Sequence, residues 1–194
     1  MWTYRTVKGR LSFRPITEED AYLICAWRNT GVARQAFYNQ AVVTPDTHIK
    51  FMRNRPDHDL IWMICTTGTQ KPIGMTSLTI DPQEYMAEYG RAFILPHLGG
   101  QGFGEEQEYM ILSLAFEFFN LGYLWGDVLV GNDRALNLHT KTGWTMVGID
   151  VEGHCHERGS VLHIEYPRIR WSEYRPQFVD KYGECFCDYT AVAS

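Results

Sequence analysis

Residues 93–104, Phe-Ile-Leu-Pro-His-Leu-Gly-Gly-Gln-Gly-Phe-Gly, have the types and spacing of an anion cradle. A β-like run breaks at Pro96, passes Gly99, Gly100, Gln101, Gly102, Phe103 and Gly104, and opens into a helix expected from about Glu105. Glycines let a backbone approach a ligand closely, and the first turn of a helix offers unpaired N–H groups and the positive end of its dipole. The chemistry such a loop supports is the binding of a phosphate or diphosphate; a tight turn that merely caps a helix is the plainer reading of the same residues. The nucleotide-triphosphate loop ends in Gly-Lys-Ser/Thr, whereas this one ends Gly-Phe-Gly-Glu-Glu. A dinucleotide fingerprint wants G-x-G-x-x-G early in a βαβ unit, not G-x-G-x-G after several strands.

The remaining chemistry-bearing clusters are weaker. His154-Cys155-His156 and Cys185-Phe186-Cys187 supply zinc-ligand types, but their spacings match no common zinc pattern, and no metal is expected. Five cysteines without framework spacing read as reduced thiols. A formal charge of −5 and a 45% hydrophobic share describe a globular chain with no basic face for nucleic acid. No run approaches the roughly 18 apolar residues of a membrane span, and the opening Met-Trp-Thr-Tyr-Arg lacks the form of a signal peptide. The expected compartment is therefore cytoplasmic, with no membrane partner. At 194 residues the chain fits one domain, 1–194.

Those elements must position the loop. Residues 10–15 alternate like a strand, and Thr17-Glu-Glu-Asp20 offers an N-cap before apolar positions Tyr22, Leu23, Ala26 and Trp27. Thr44-Pro45-Asp46 starts a second helix running to about Arg53, with Pro at its first position. Strands are expected at 60–65, 73–80 and 87–95, then a long helix from about Glu105 to Asn120 with Tyr109, Leu112, Phe116 and Phe119 on one stripe. A strand at 125–130, a short helix at 133–142 stopped by Gly143, and a hairpin of 145–149 with 161–169 complete the core, 10–169. The order β α α β β β α β α β β implies an α/β fold with a mixed sheet of about seven strands flanked by about four helices. Residues 171–194 show no clear period and read as an aromatic tail that covers an apolar face or a second subunit, which would make a homodimer, or stays partly disordered.

This order, together with Lys71-Pro-Ile-Gly, Ala87-Glu-Tyr-Gly-Arg-Ala-Phe-Ile-Leu-Pro96 and Asn132-Asp-Arg-Ala-Leu-Asn-Leu-His-Thr-Lys-Thr-Gly-Trp144, resembles the GNAT superfamily of acyl-CoA-dependent N-acyltransferases over residues 10–169. Trp27-Arg28-Asn29, with Thr44-Pro-Asp-Thr-His48, is similar to its sugar-amine branch, and the ribosomal-protein branch shares the same opening. The resemblance implies acetyl-CoA as cosubstrate and a diphosphate held by loop amides at Gln101, Gly102, Gly104 and Glu105. It implies Glu88 as general base, directly or through a water, against the alternative of a strand carboxylate paired with Arg91. Backbone groups of Phe93 and Ile94 would meet the pantetheine arm and the developing oxyanion. Asn132 would cap the late helix or touch the cofactor, and Trp27, Arg28, Asn29 and His48 would line the acceptor side.

Two positions depart from the family pattern. Gly99 stands where the loop usually begins with Arg or Gln, and Arg134 is the candidate replacement cation. His139 stands where the late helix usually carries the tyrosine acid, with Tyr89 as another candidate. An unperturbed imidazole titrates near ~6.5 and a phenol near ~10, so turnover is expected to fall as the pH rises past the imidazole range. The activity implied is acetyl transfer to a primary amine of a small polar acceptor, an amino sugar ahead of an aminoglycoside or a protein N-terminus. A non-catalytic acyl-CoA-binding module is the reading from another class.

Overall fold

A single sheet organises the molecule, and the computed structural model describes residues 2–36, 41–150 and 160–189. Its strands are β1 (Trp2–Thr6), β2 (Leu11–Pro15), β3 (Asp59–Thr66), β4 (Pro72–Asp81), β5 (Met86–Ile94), β6 (Tyr123–Leu129), β7 (Thr145–Asp150), β8 (Val161–Pro167) and β9 (Cys185–Tyr189). The helices are α1 (Ala21–Arg28), α2 (Gly31–Ala36), α3 (Pro45–Asn54), α4 (Phe103–Ser113), α5 (Asp133–Thr142) and α6 (Arg168–Tyr182). The strand order is β7-β8-β6-β5-β4-β3-β2-β1-β9, nine among the described residues where about seven were expected. The ladders are antiparallel except β5 with β6, which α4 connects as a crossover must.

Both sheet faces are covered, which is why β3 reads as an unbroken apolar run rather than an alternation. Trp62 and Ile64 face the core with Leu78, Tyr89, Leu124 and the buried side of α4. Ile61, Met63 and Cys65 face the other way, with Met75, under Ile24 and Trp27 of α1. Thr44 caps α3 as the sequence expects, accepting the Thr47 amide at 3.3 Å, with Pro45 at the first position. Thr17 instead precedes a 3-10 turn, and Asp20 ties that turn to β2 through two bonds from Arg14, at 2.7 and 2.8 Å.

The expected tail carries α6 and β9. Trp171, Phe178 and Tyr182 recur at helical spacing and stack on buried Tyr109 of α4, with ring centroids 6.0, 5.2 and 5.8 Å away. Each buried aromatic contributes about 1.5–3 kcal/mol, enough to outweigh Pro176 inside the helix, which masks the period in sequence. β9 then pairs along the whole of β1, a strand that lies outside the core expected over residues 10–169. α4 begins at Phe103, two residues earlier than expected, and passes into a π turn over Leu114–Phe118 that sends Phe116 inward and Phe118 outward.

Candidate active site

The site grows from a split in the sheet. β5 and β6 pair in parallel only at Met86 with Tyr123, Ala87 with Leu124 and Glu88 with Trp125. Beyond that β5 stays with β4 and β6 with β8, so the strands diverge. A register shift between Met75 and Ser77 and a left-handed Arg91 (φ 48°) bend β5 on its far side, as a bulge does. Leu95 N–H donates to the Ile73 carbonyl at 2.9 Å and Phe93 is the partner of Met75. The alternation of an antiparallel ladder therefore turns the main-chain groups of Ile94 into the split and those of Phe93 toward β4.

At the end of β5 a 3-10 turn over Pro96–Leu98 leads into the glycine loop. Gly100 (φ 76°) and Gly102 (φ 84°) occupy the left-handed region that glycine enters without strain, and Gly102 caps α4. Gly99 N–H donates to the Pro96 carbonyl, whereas the amides of residues 100–105 have no acceptor among the described residues. At Gly99 a Cβ would stand 2.9 Å from Nη2 and 3.0 Å from Nη1 of Arg134, so the guanidinium from α5 occupies the space that a loop side chain would take. Glu105 turns away to Lys141 and Lys181, and Glu106 is buried beneath the loop, accepting the amides of Arg10 at 2.6 Å and Leu11 at 2.8 Å. Burial pushes the Glu106 carboxyl up from its ordinary range, against the pull of those two amides. The loop thus presents donors, with the Arg134 guanidinium at Gly99 and that of Arg10 bonded to the Gln101 carbonyl, and keeps its two nearest carboxylates out of the way.

A cleft of ≈ 810 Å³ runs from this loop into the split, lined among others by Phe93, Ile94, Gly100, Gly102, Phe103, Gly104, Asn132, Arg134 and His139. A second cavity of ≈ 300 Å³ lies beyond it, with Glu88, Ser77, Thr79 and Asp127 in its wall. Tyr89, Ala92, Leu129, Asn132, Ala135 and His139 belong to both. His139 stands at this junction, edge-on to Tyr89 and Trp144. Its Nδ1 lies 2.6 Å from Oε1 of fully buried Glu108, a close contact without the alignment of a straight hydrogen bond, which leaves Nε2 for the cavity. The other Glu108 oxygen accepts from Thr142. Tyr89 accepts from Gln107 at 3.0 Å, and burial together with the Glu108 charge pushes its phenol well above the usual range, so it keeps its proton.

Several expected positions have other partners, and some lie outside the cavities. Asn132 caps α5 through the Ala135 amide at 3.2 Å while also lining both cavities. Arg91 gives its guanidinium to Asp59, at 2.7 and 3.1 Å. Trp27 is a core residue against the Phe93 ring, and both ends of the Asn29 amide bind Val43. Arg28 is half-buried; burial, with the Arg91 charge adding, pulls its guanidinium down from the usual range. His48 is buried on α3 outside both cavities, its Nε2 without a hydrogen bond. Gln101 and the Glu105 side chain do not line the cleft. His154, Cys155 and His156 lie outside the described residues, and Cys185 and Cys187 stand in β9. Gln107, Glu108 and Asp127 escaped the sequence reading. The available signal was Glu105-Glu106-Gln107-Glu108, more polar residues than a helix start needs when the helix is buried on both sides.

The sequence model of a family described as an acetyltransferase (GNAT) domain matches residues 10–145. No curated protein matches the chain by sequence. Among solved structures, the spermidine N-acetyltransferase from Vibrio cholerae in complex with CoA and spermine is similar with a TM-score of 0.76 at 18% identity, over 84% of this chain and 98% of that one. FdhC, a nucleotide-linked sugar GNAT, is similar with a TM-score of 0.73 at 18% identity, over 90% of this chain and 96% of that one. A GCN5-related N-acetyltransferase from Brucella melitensis is similar with a TM-score of 0.75 at 12% identity, over 91% and 84%.

Proposed function

This chain belongs to the GNAT acetyltransferase family, whose members use acetyl-CoA, and we propose that it acetylates a primary amine of a small polar acceptor, an amino sugar ahead of other amines. The observation that carries the reading is the meeting of two cavities at His139, one reaching the unpaired amides of the glycine loop and the other reaching Glu88.

The residues present fit acetyl-CoA. The amides of 100–105 and the Arg134 guanidinium would hold its diphosphate, and Ile94 would meet its arm by backbone bonding. When bound, the cosubstrate supplies an acetyl group activated as a thioester. Glu88 takes a proton from the acceptor ammonium, directly or through one water, which frees the nitrogen lone pair. The Ile94 N–H is fixed in the ladder and orients a carbonyl without rearranging, the condition under which such donors contribute most. His139 holds a proton at Nε2 for the departing sulfur, and Glu108 fixes its ring orientation from the other side.

An amino sugar is supported by the size of the inner cavity, by the Ser77 and Thr79 hydroxyls in or beside its wall, and by the likeness to a sugar GNAT. A polycationic amine, an aminoglycoside or a polyamine, is the second reading, favoured by the two carboxylates of that wall. Purified protein is tested with acetyl-CoA against amino sugars, aminoglycosides, polyamines and peptides. Acceptor-dependent release of free thiol is expected; a melting shift with acetyl-CoA but no thiol release across the panel would leave only a binder.

A further inference from the structure

Arg10 stands just before β2 and reaches the side of the glycine loop that faces away from the cleft. Its amide donates to Oε1 of buried Glu106, as does that of Leu11, and a Cβ at Gly9 would run into the same oxygen. The turn before β2 is therefore seated directly on the start of α4, which fixes where the Arg10 side chain begins. Its Nη2 donates to the Gln101 carbonyl at 2.7 Å, the guanidinium carbon lies 4.2 Å from the centre of the Phe103 ring, and Nε is 3.7 Å from Glu106 Oε2. Arg10 and Gln101 do not line the cleft, whereas Gly102 and Phe103 do. We propose that Arg10 is a positioning residue for the cosubstrate: by holding the Gln101 carbonyl away from the cleft, it turns the Gly102 N–H into the cleft, toward the diphosphate. The inference rests on the acyl-CoA reading of this loop.

A trans peptide is planar, so the Gln101 carbonyl and the Gly102 N–H point in opposite directions and neither turns without the other. Gly102 has φ 84°, and glycine adopts positive and negative φ about equally well, so backbone preference alone does not fix which face of this peptide meets the cleft. The wrong face would aim a carbonyl oxygen at a phosphate and replace an attraction with a repulsion. A hydrogen bond from a charged donor is roughly twice as strong as one between neutral groups, and the Phe103 ring holds the guanidinium in place by a cation–π contact. Arg10 thus selects the amide-inward orientation before the ligand arrives, and less ordering then opposes binding. Arg134 acts on the ligand itself; Arg10 acts through the loop.

The test compares wild type with Arg10→Met, which keeps a long stem but has no donor, and Arg10→Lys, which still reaches a carbonyl. Calorimetry measures the Kd of CoA and of dephospho-CoA, which share the diphosphate and differ at the 3′-phosphate; thiol release gives acetyl-CoA KM and kcat. Arg10→Met should weaken both ligands by the same factor, about 3- to 10-fold, raise acetyl-CoA KM to match and leave kcat at saturation unchanged. Arg10→Lys should restore most of the loss. A merely structural role would lower the ligand-free melting temperature without moving these constants, so Kd values within about twofold of wild type in Arg10→Met would overturn this inference alone. A loss confined to CoA would overturn it too, because Arg10 would then meet the 3′-phosphate itself. Arg10→Gln, too short to reach the Gln101 carbonyl, decides the matter if Arg10→Met does not fold. A wild type that binds neither ligand would overturn the acyl-CoA reading and this inference with it.

Discussion

Replacing Arg134 with alanine tests whether the cation of the diphosphate site has moved from the loop to α5. The guanidinium lies where a side chain on Gly99 would begin, within about 3 Å of that Cβ position. A hydrogen bond to a charged group contributes about 1.5–3 kcal/mol, and exposure of Arg134 discounts this toward about 1–2 kcal/mol. That corresponds to a rise of about 5- to 30-fold in the KM for acetyl-CoA, with kcat at saturation unchanged because the contact is remote from the reacting atoms. Added salt should weaken acetyl-CoA binding to the wild type more than to the variant, since screening acts on the charge that the variant lacks. Gly99 has φ −62° and ψ 149°, ordinary extended backbone, so Gly99→Arg in the Arg134→Ala background has room and should restore much of the lost affinity. The assay is steady-state thiol release at varied acetyl-CoA, with isothermal calorimetry on CoA. An unchanged KM in Arg134→Ala, or a fall in kcat alone, would refute the reasoning.

Three further outcomes are expected. Glu108→Gln keeps the size of the side chain but loses the charge beside His139, so kcat should fall tenfold or more within the roughly 10²–10⁴-fold range of general acid catalysis while acetyl-CoA KM holds; an unaltered kcat would separate Glu108 from the reaction. Gly102→Ala has steric room, with Arg10 Nη2 3.5 Å away, but forces alanine to φ 84°; a loss of about 1–2 kcal/mol should appear as a melting temperature lower by about 2–8 °C. Burial, then the charges of Arg28 and Arg91, lower the His48 pKa below its ordinary value near 6.5, so the unfolded chain binds this proton first. Its stabilising effect is full above about 6.5 and is lost as pH falls through the folded value. The wild-type melting temperature should drop as pH is lowered from about 7 toward 5, and His48→Gln should flatten that segment of the curve.

Local signals carried most of the element order. Thr44-Pro45 and Gly143 mark their helix ends because capping is decided within a few residues, and the glycine loop is legible because positive φ and close approach demand glycine. β1 and α6 were obscured for equally local reasons: one is a short strand of alternating polar and apolar residues, the other carries Pro176 across its aromatic stripe. Their stability comes from β9 pairing with β1 and from Tyr109, both far away along the chain.

The sequence by itself determined where a diphosphate could be gripped, since a run of amides around glycines depends only on neighbouring residues, and it marked His139 and Glu88 as groups able to move protons. Only the tertiary structure decided that Arg134 fills the place left by Gly99, that Glu108 stands behind His139, and that Asp127 faces the same cavity as Glu88. Those relations depend on the divergence of β5 from β6 and on the packing of α5 against α4. Distances between side chains on separate elements are set by the packing of the whole sheet, which no local run of residues encodes.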